Sequence, residues 1–195
     1  SSMKYCVTSV ILPEFDVPET CALLQELGYD GVEWRVRYTP EQAIGQGFSM
    51  WGEHKTGLSP ANLAQRAHEV ARITADHGLE IPAIAANLRC DELDEIKRLA
   101  DGVARMGQIP IRLGAPTGYD RSANYNDLYK RAVDAYSKAL DVLKPYGIRC
   151  FIEIHGGTLM PSASLACRLA ANFQPDELGV IYDVNNMAHQ GFALP

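Results

Sequence analysis

The nine residues RCFIEIHGG at 149–157 decide the fold. An apolar run, typical of a short strand buried on both faces, breaks into Glu153 and His155 and is followed at once by two glycines. Because strand side chains alternate, Phe151, Glu153 and His155 point to one face, opposite Cys150, Ile152 and Ile154. The segment is either the end of a core strand with solvated polar tips or the edge of an active site.

Similar short runs and longer helical patterns take turns along the rest of the chain. Strands are predicted at 4–11, 31–36, 80–86, 109–113, 148–154 and 178–183. Apolar residues at helical spacing predict helices at 18–28, 60–77, 92–106 and 126–143, and more weakly at 162–172. This alternation requires parallel strands joined by crossover helices.

Two architectures fit this order, an open doubly wound sheet and a (β/α)8 TIM barrel. Neither GxGxxG nor GxxxxGK[ST] follows any predicted strand, whereas polar residues follow several strands, as the active-site residues of a barrel do. The α/β pattern therefore favours a barrel. Only six strands are found where a barrel needs eight, so we expect an incomplete TIM barrel that lacks strands 7 and 8, built as a single domain over 1–195 and truncated at its C-terminus.

Composition excludes several classes of partner. The formal net charge is −6 and no cluster of basic residues stands out, so no nucleic-acid partner is expected. No apolar run is long enough to span a membrane, and no membrane is expected as a partner. The five cysteines are scattered without a CxxC motif, which predicts reduced thiols and a cytoplasmic location.

Glu153 and Asp183 end neighbouring predicted strands, and if the even-numbered residues pack against the helices, both carboxylates point into the barrel mouth. Two converging carboxylates repel unless a proton or a cation lies between them, and a divalent metal with oxygen ligands is the natural solution. The alternative is that both are helix caps or solvated strand ends. His155, on the same face as Glu153, is placed to reach a bound substrate, whereas His189 is either near the site or on a surface helix.

Further polar residues follow the other strands. Glu33 and Arg35 share one face of the second strand, where they either pair with each other or contact substrate. Arg112 lies near the end of the fourth strand. His54 belongs to the long loop 38–59, which is either a lid over the mouth or simply mobile.

Three segments resemble the xylose isomerase-like superfamily of sugar phosphate isomerases and epimerases. They are LGYDGVEWR at 27–35, IEIHGGTL at 152–159 and GVIYDVNNMAHQG at 179–191. The superfamily includes ketose 3-epimerases, inosose dehydratases and, more distantly, endonuclease IV. The resemblance implies a (β/α)8 barrel with a divalent metal at its mouth, Glu153 and Asp183 as ligands, and His155 and Asn186 as substrate contacts. A His and a Glu on the seventh and eighth strands usually complete the ligand set.

The implied function is a divalent-metal-dependent isomerase or epimerase acting on a sugar, sugar phosphate or polyol. Glu153 would remove an α-proton to give a metal-bound enediolate. Substrate contacts are predicted from Glu33, Arg35, His54, Arg112, His155 and Asn186. The metal is Mn, Mg, Co or Zn. Members of the family often dimerise, which makes a homodimer one of the assemblies open to this chain.

Three alternative functions stay open. A related metal-dependent dehydratase, a lyase, begins with the same α-proton abstraction. An AP endonuclease-like nuclease needs a basic DNA-facing surface and a His-rich zinc cluster, and the acidic composition argues against it. A non-catalytic fragment that binds a ligand without turning it over is the third.

Overall fold

The structure, a computed structural model that describes residues 2–188, contains six parallel strands that alternate with helices. The strands are β1 (Cys6–Thr8), β2 (Gly31–Arg35), β3 (Ile84–Ala85), β4 (Ile111–Arg112), β5 (Cys150–Glu153) and β6 (Leu178–Ile181). The helices are α1 (Val17–Glu26), α2 (Leu63–Asp76), α3 (Leu93–Ala104), α4 (Tyr125–Leu143), α5 (Ala163–Ala170) and α6 (Val184–Ala188). This confirms the α/β, TIM-barrel-like class, with six of the eight strands of a closed barrel found over residues 2–188.

The chain divides into two compact units. The first comprises the residues up to Ala86 together with Arg98–Pro110, and the second comprises Asn87–Lys97 together with the residues from Ile111 onward. The strands β1–β3 belong to the first unit and β4–β6 to the second. Within residues 2–188, no helix combines the length and apolar character needed to cross a bilayer.

In the first unit, the alternation of side chains along β2 separates the core from the functional face. Trp34 is fully buried, and its indole Nε1 donates a hydrogen bond to Thr74 Oγ1 of α2 over 3.2 Å. Glu33 and Arg35 therefore lie on the opposite face of the strand, as the sequence pattern predicts. α1 begins with a capping box, in which Asp16 and Glu19 each accept the other's backbone N–H.

In the second unit, β5 pairs with β6 in a register that puts Glu153 opposite Ile181. Cys150, Ile152 and Ile154 are almost completely buried, whereas Phe151 and Glu153 are half-buried on the other face. The buried Tyr136 of α4 donates a hydrogen bond from its hydroxyl to the carbonyl of Leu113, just beyond β4, over 3.0 Å. The helices thus cover the even-numbered face of β5 and leave the odd-numbered face to the functional side chains.

Several strands are shorter than the pattern predicts. β3 has two residues where seven are predicted at 80–86, because Pro82 carries no backbone N–H and the Ala86 N–H turns back to the Ile84 carbonyl. α6 begins at Val184, where the periodicity of the sequence predicts no helix. His189 lies outside the described residues.

Gly31 permits the close approach of β2 to β1 on one side and to Glu80, which precedes β3, on the other. A Cβ at this position would lie 2.6 Å from the Glu80 carbonyl oxygen and 2.8 Å from Cys6 Sγ. The Glu80 carbonyl also accepts the Val32 N–H over 2.8 Å. The pairing on both sides of β2 therefore depends on a residue without a side chain.

We expect Gly31→Ala to lower the free energy of unfolding by roughly 2 kcal/mol or more, because the added methyl must displace backbone. Urea denaturation measures the change. Gly114→Ala is the matched control, since its Cβ would lie 3.7 Å from the nearest atom, the Leu88 carbonyl oxygen. Equal stability of the two variants would contradict the packing assigned to Gly31.

Candidate functional site

Glu153, the last residue of β5, forms an ion pair with Arg112, the last residue of β4. The two side chains are about three-quarters buried, and Arg112 Nη1 donates to Glu153 Oε2. Among residues 2–188, Glu153 Oε1 accepts no hydrogen bond. β4 pairs with β5 so that Arg112 lies opposite Phe151, which brings these two predicted site residues together. One carboxylate oxygen is held while the other is available to a ligand.

Asp183 follows β6 by two residues and directly precedes α6. Its Oδ1 accepts the backbone N–H of Asn186 over 2.9 Å, and its Oδ2 accepts the Asn186 side-chain amide over 2.8 Å. The same amide donates to the Ile154 carbonyl, next to Glu153, over 3.0 Å. Asp183 is thus a helix cap, which was the structural alternative for this residue, and Asn186 fixes both its orientation and its place beside the end of β5.

His155 lies in a compact turn between β5 and α5. Its Nδ1 is 2.7 Å from the Gly156 carbonyl, and because a carbonyl can only accept, Nδ1 carries the hydrogen. Gly157 has a φ of +73°, which allows the chain to reverse so that the His155 N–H reaches the Met160 carbonyl. The exposed ring presents Nε2 as the remaining acceptor in its neutral form.

Arg35 and His54 lie together in the first unit, on the walls of a cavity of about 290 Å³ that also includes Arg37. Arg35 is 3% exposed, and its Nη2 donates to the Gly52 carbonyl over 2.9 Å. His54 is 6% exposed, with Nε2 3.0 Å from the Met50 carbonyl. Burial lowers the pKa of both groups, and the neighbouring guanidinium groups of Arg35 and Arg37 lower that of His54 further.

The loop that carries His54 is tied to the rest of the first unit. The Arg37 N–H bonds to the Leu58 carbonyl over 3.1 Å, and the Lys55 N–H bonds to the Pro13 carbonyl over 2.9 Å. Glu33 remains half-buried on β2, and among residues 2–188 no ion pair joins it to Arg35. Substrate contact by Glu33 stays a prediction.

The fit of a divalent metal can be judged from the donor set. Glu153 and Asp183 offer carboxylate oxygens, the ligand type that hard divalent cations prefer. Within residues 2–188, however, no group of three His, Cys, Asp or Glu side chains could enclose a cation. The two carboxylates are of the chemical type that suits a divalent metal, but they are only two of the ligands that such a metal needs.

The structure also places two residues that the strand-end pattern does not single out. Arg149 stacks over Phe151, 5.3 Å from the ring centroid, and occupies the space that a side chain at Gly179 would need. Arg37 joins Arg35 and His54 at the cavity. The sequence points to Arg37 only through the RVR motif at 35–37. Alternation of side chains along an extended segment would place Arg35 and Arg37 on the same face.

A family model described as a xylose isomerase-like TIM barrel matches residues 21–193. The chain belongs to this family. The match extends over nearly the whole chain and includes both units, so the resemblance seen in three short segments is confirmed. A comparison with curated proteins finds no significant match.

Several solved structures share the fold at low sequence identity. The probable 3-DHS dehydratase AsbF from Bacillus anthracis matches with a TM-score of 0.73 and 16% identity, over 97% of this chain and 66% of that one. The IOLI protein with a bound zinc atom gives 0.71 and 16%, over 97% and 66%. The apo 3-keto-D-glucoside 4-epimerase YcjR from E. coli gives 0.68 and 14%, over 96% and 70%. The chain thus spans about two thirds of the length of these proteins.

We expect the burial of His54 to make folding stability depend on pH. Its pKa in the folded chain lies below its ordinary value of 6.5, so as the pH falls through 6.5 the unfolded chain binds a proton that the folded chain does not. The free energy of unfolding should therefore keep its full value above pH 6.5 and decrease as the pH falls below 6.5. In His54→Asn this component disappears. Urea denaturation between pH 5 and 8 measures both slopes, and identical slopes would show that His54 is not buried in its neutral form.

Proposed function

We propose that this family member is a sugar or polyol isomerase or epimerase that acts by removing a proton from the carbon next to a carbonyl. The observation that carries the proposal is the position and the hydrogen bonding of Glu153. It ends a strand at the carboxyl edge, where barrel enzymes assemble their active sites, and one of its oxygens is held by Arg112. Membership of the family and neighbours that include a sugar epimerase support it.

In this proposal Glu153 is the general base. Oε1 is the accepting atom, because Oε2 is engaged by Arg112. Arg112 holds the carboxylate in one orientation and compensates its charge while the substrate is bound. Return of this proton to the neighbouring carbon, with transfer of the hydroxyl proton to the former carbonyl oxygen, would complete an isomerisation. An epimerisation would need a second acid that protonates the same carbon from its opposite face.

The polar groups around Glu153 would orient the substrate. His155 would accept a hydrogen bond from a substrate hydroxyl at Nε2, since Nδ1 is used by Gly156. The Asn186 amide donates to Asp183 and Ile154, so its oxygen is the atom that would meet a substrate hydroxyl. Substrate contacts by Arg112 and by Glu33, Arg35 and His54 of the first unit stay predictions from the sequence.

Glu153 and Asp183 would hold a divalent cation as two of its ligands. When bound, such a cation would stabilise the negative charge that develops on the substrate oxygens as the proton leaves. Asn186 prepares Asp183 for this role by fixing both of its oxygens with 2.8–2.9 Å hydrogen bonds. Partners of this kind orient a ligand and raise its affinity for metal.

A dehydratase is the second candidate, because a probable dehydratase is among the structural neighbours. Removal of the same α-proton followed by loss of a β-hydroxyl gives a lyase. The two reactions share Glu153 as base and differ in product. Water loss, detected by mass spectrometry of the product, would assign the lyase.

Proton abstraction can be tested by incubating the chain with Mn²⁺ and a panel of ketoses in D₂O. We expect the NMR signal of the α-hydrogen to be lost, and Glu153→Gln to slow this exchange by about a hundredfold or more. Glu26→Gln removes a carboxylate from an exposed position at the end of α1 and is the control. Exchange at the wild-type rate in Glu153→Gln would exclude Glu153 as the base.

Metal binding can be tested without turnover by titrating Mn²⁺ and recording the EPR signal of the free ion. We expect Glu153→Ala combined with Asp183→Ala to abolish binding, and Asn186→Ala to weaken it roughly tenfold. Asn185→Ala, which removes the exposed neighbouring amide on α6, is the matched control. Stoichiometric binding by the double variant would refute the ligand assignment.

A further inference from the structure

The cavity of the first unit contains a buried positive charge that the described part of the chain does not neutralise. Arg35 is 97% buried, and within residues 2–188 its guanidinium makes one hydrogen bond, to the Gly52 carbonyl. Its Nε is buried without a hydrogen-bond partner. A buried cation is costly unless it is paired and hydrogen-bonded, so this arrangement calls for a counter-charge.

No acidic group of the cavity wall provides that charge. The described residues that line the cavity carry two guanidinium groups, Arg35 and Arg37, together with His54, and none of them is Asp or Glu. Burial alone shifts the pKa of Arg35, and it does so downward, whereas a nearby carboxylate would raise it. The charge of Arg35 therefore has no carboxylate beside it on the described cavity wall.

The rest of the wall offers groups that suit an oxyanion. His54 Nδ1 is buried without a partner, because Nε2 faces the Met50 carbonyl. Nδ1 can accept from a phosphate O–H or, once protonated, donate to any anionic oxygen. Thr39 and Ser59 line the same cavity and add hydroxyl groups.

We propose that this cavity is a binding site for the oxyanion group, a phosphate or a carboxylate, of a small-molecule ligand. The volume of about 290 Å³ suits a small ligand or one end of a larger one. Guanidinium groups match both oxyanions because their planar donors can form paired hydrogen bonds with two oxygens. This assignment is independent of the proton-transfer chemistry proposed for Glu153.

The test is a calorimetric titration of the 195-residue chain with inorganic phosphate and, separately, with acetate, each at an ionic strength held constant with NaCl. We expect the wild-type chain to bind at least one of the two probes. Arg35→Met should weaken that binding roughly tenfold or more, because a charge-assisted hydrogen bond and its charge are lost. Tighter binding of phosphate would identify a phosphorylated ligand, and binding of acetate as tight or tighter would identify a carboxylate.

Arg72→Met is the matched control, since it removes the same charge from an exposed position on α2 in the same unit. It should bind the probe as the wild-type chain does. If Arg35→Met fails to fold, His54→Asn and the ¹⁵N chemical-shift changes of the wild-type amides at 35–59 provide the same information. Absence of binding by the wild-type chain, equal binding by Arg35→Met and Arg72→Met, or shift changes confined to other segments would each overturn the proposal.

Discussion

Parallel pairing of β5 with β6 is the constraint on which the candidate active site depends. Four consecutive residue pairs fix the register, so that Glu153 lies opposite Ile181 and Asp183 follows two residues later. A slip by one residue would turn Glu153 toward the helices and bring Ile152 to the functional face. The burial of Cys150, Ile152 and Ile154 prevents this slip, because three apolar side chains would have to leave the core together.

Each carboxylate at this edge is held by a different kind of partner. Glu153 is paired with a cation, Arg112, whereas Asp183 is held by the neutral amide groups of Asn186. The first arrangement compensates the charge of Glu153, and the second fixes the direction of the Asp183 carboxylate through two hydrogen bonds.

The fold could be predicted from the sequence because both of its signals are local. Short apolar runs and helical periodicity identified all six strands and the five longer helices, although β1, β3 and β4 are shorter than predicted. The odd-numbered face of β5 was assigned correctly from alternation alone. The hydrogen bonds by which Asn186 orients Asp183 could not be predicted. They depend on where the chain turns after β6 and on the approach of the Ile154 carbonyl.

The sequence by itself determined the α/β order, the family, and the residue types at the strand ends. Periodicity and short motifs are local features that can be recognised without any knowledge of packing. Only the tertiary structure decided which of those residues meet. Arg112 pairs with Glu153 across 41 positions, and Arg35 shares a cavity with His54 rather than an ion pair with Glu33. Contacts of this range depend on strand register and on the path of a 22-residue loop over 38–59, and neither is written in local sequence.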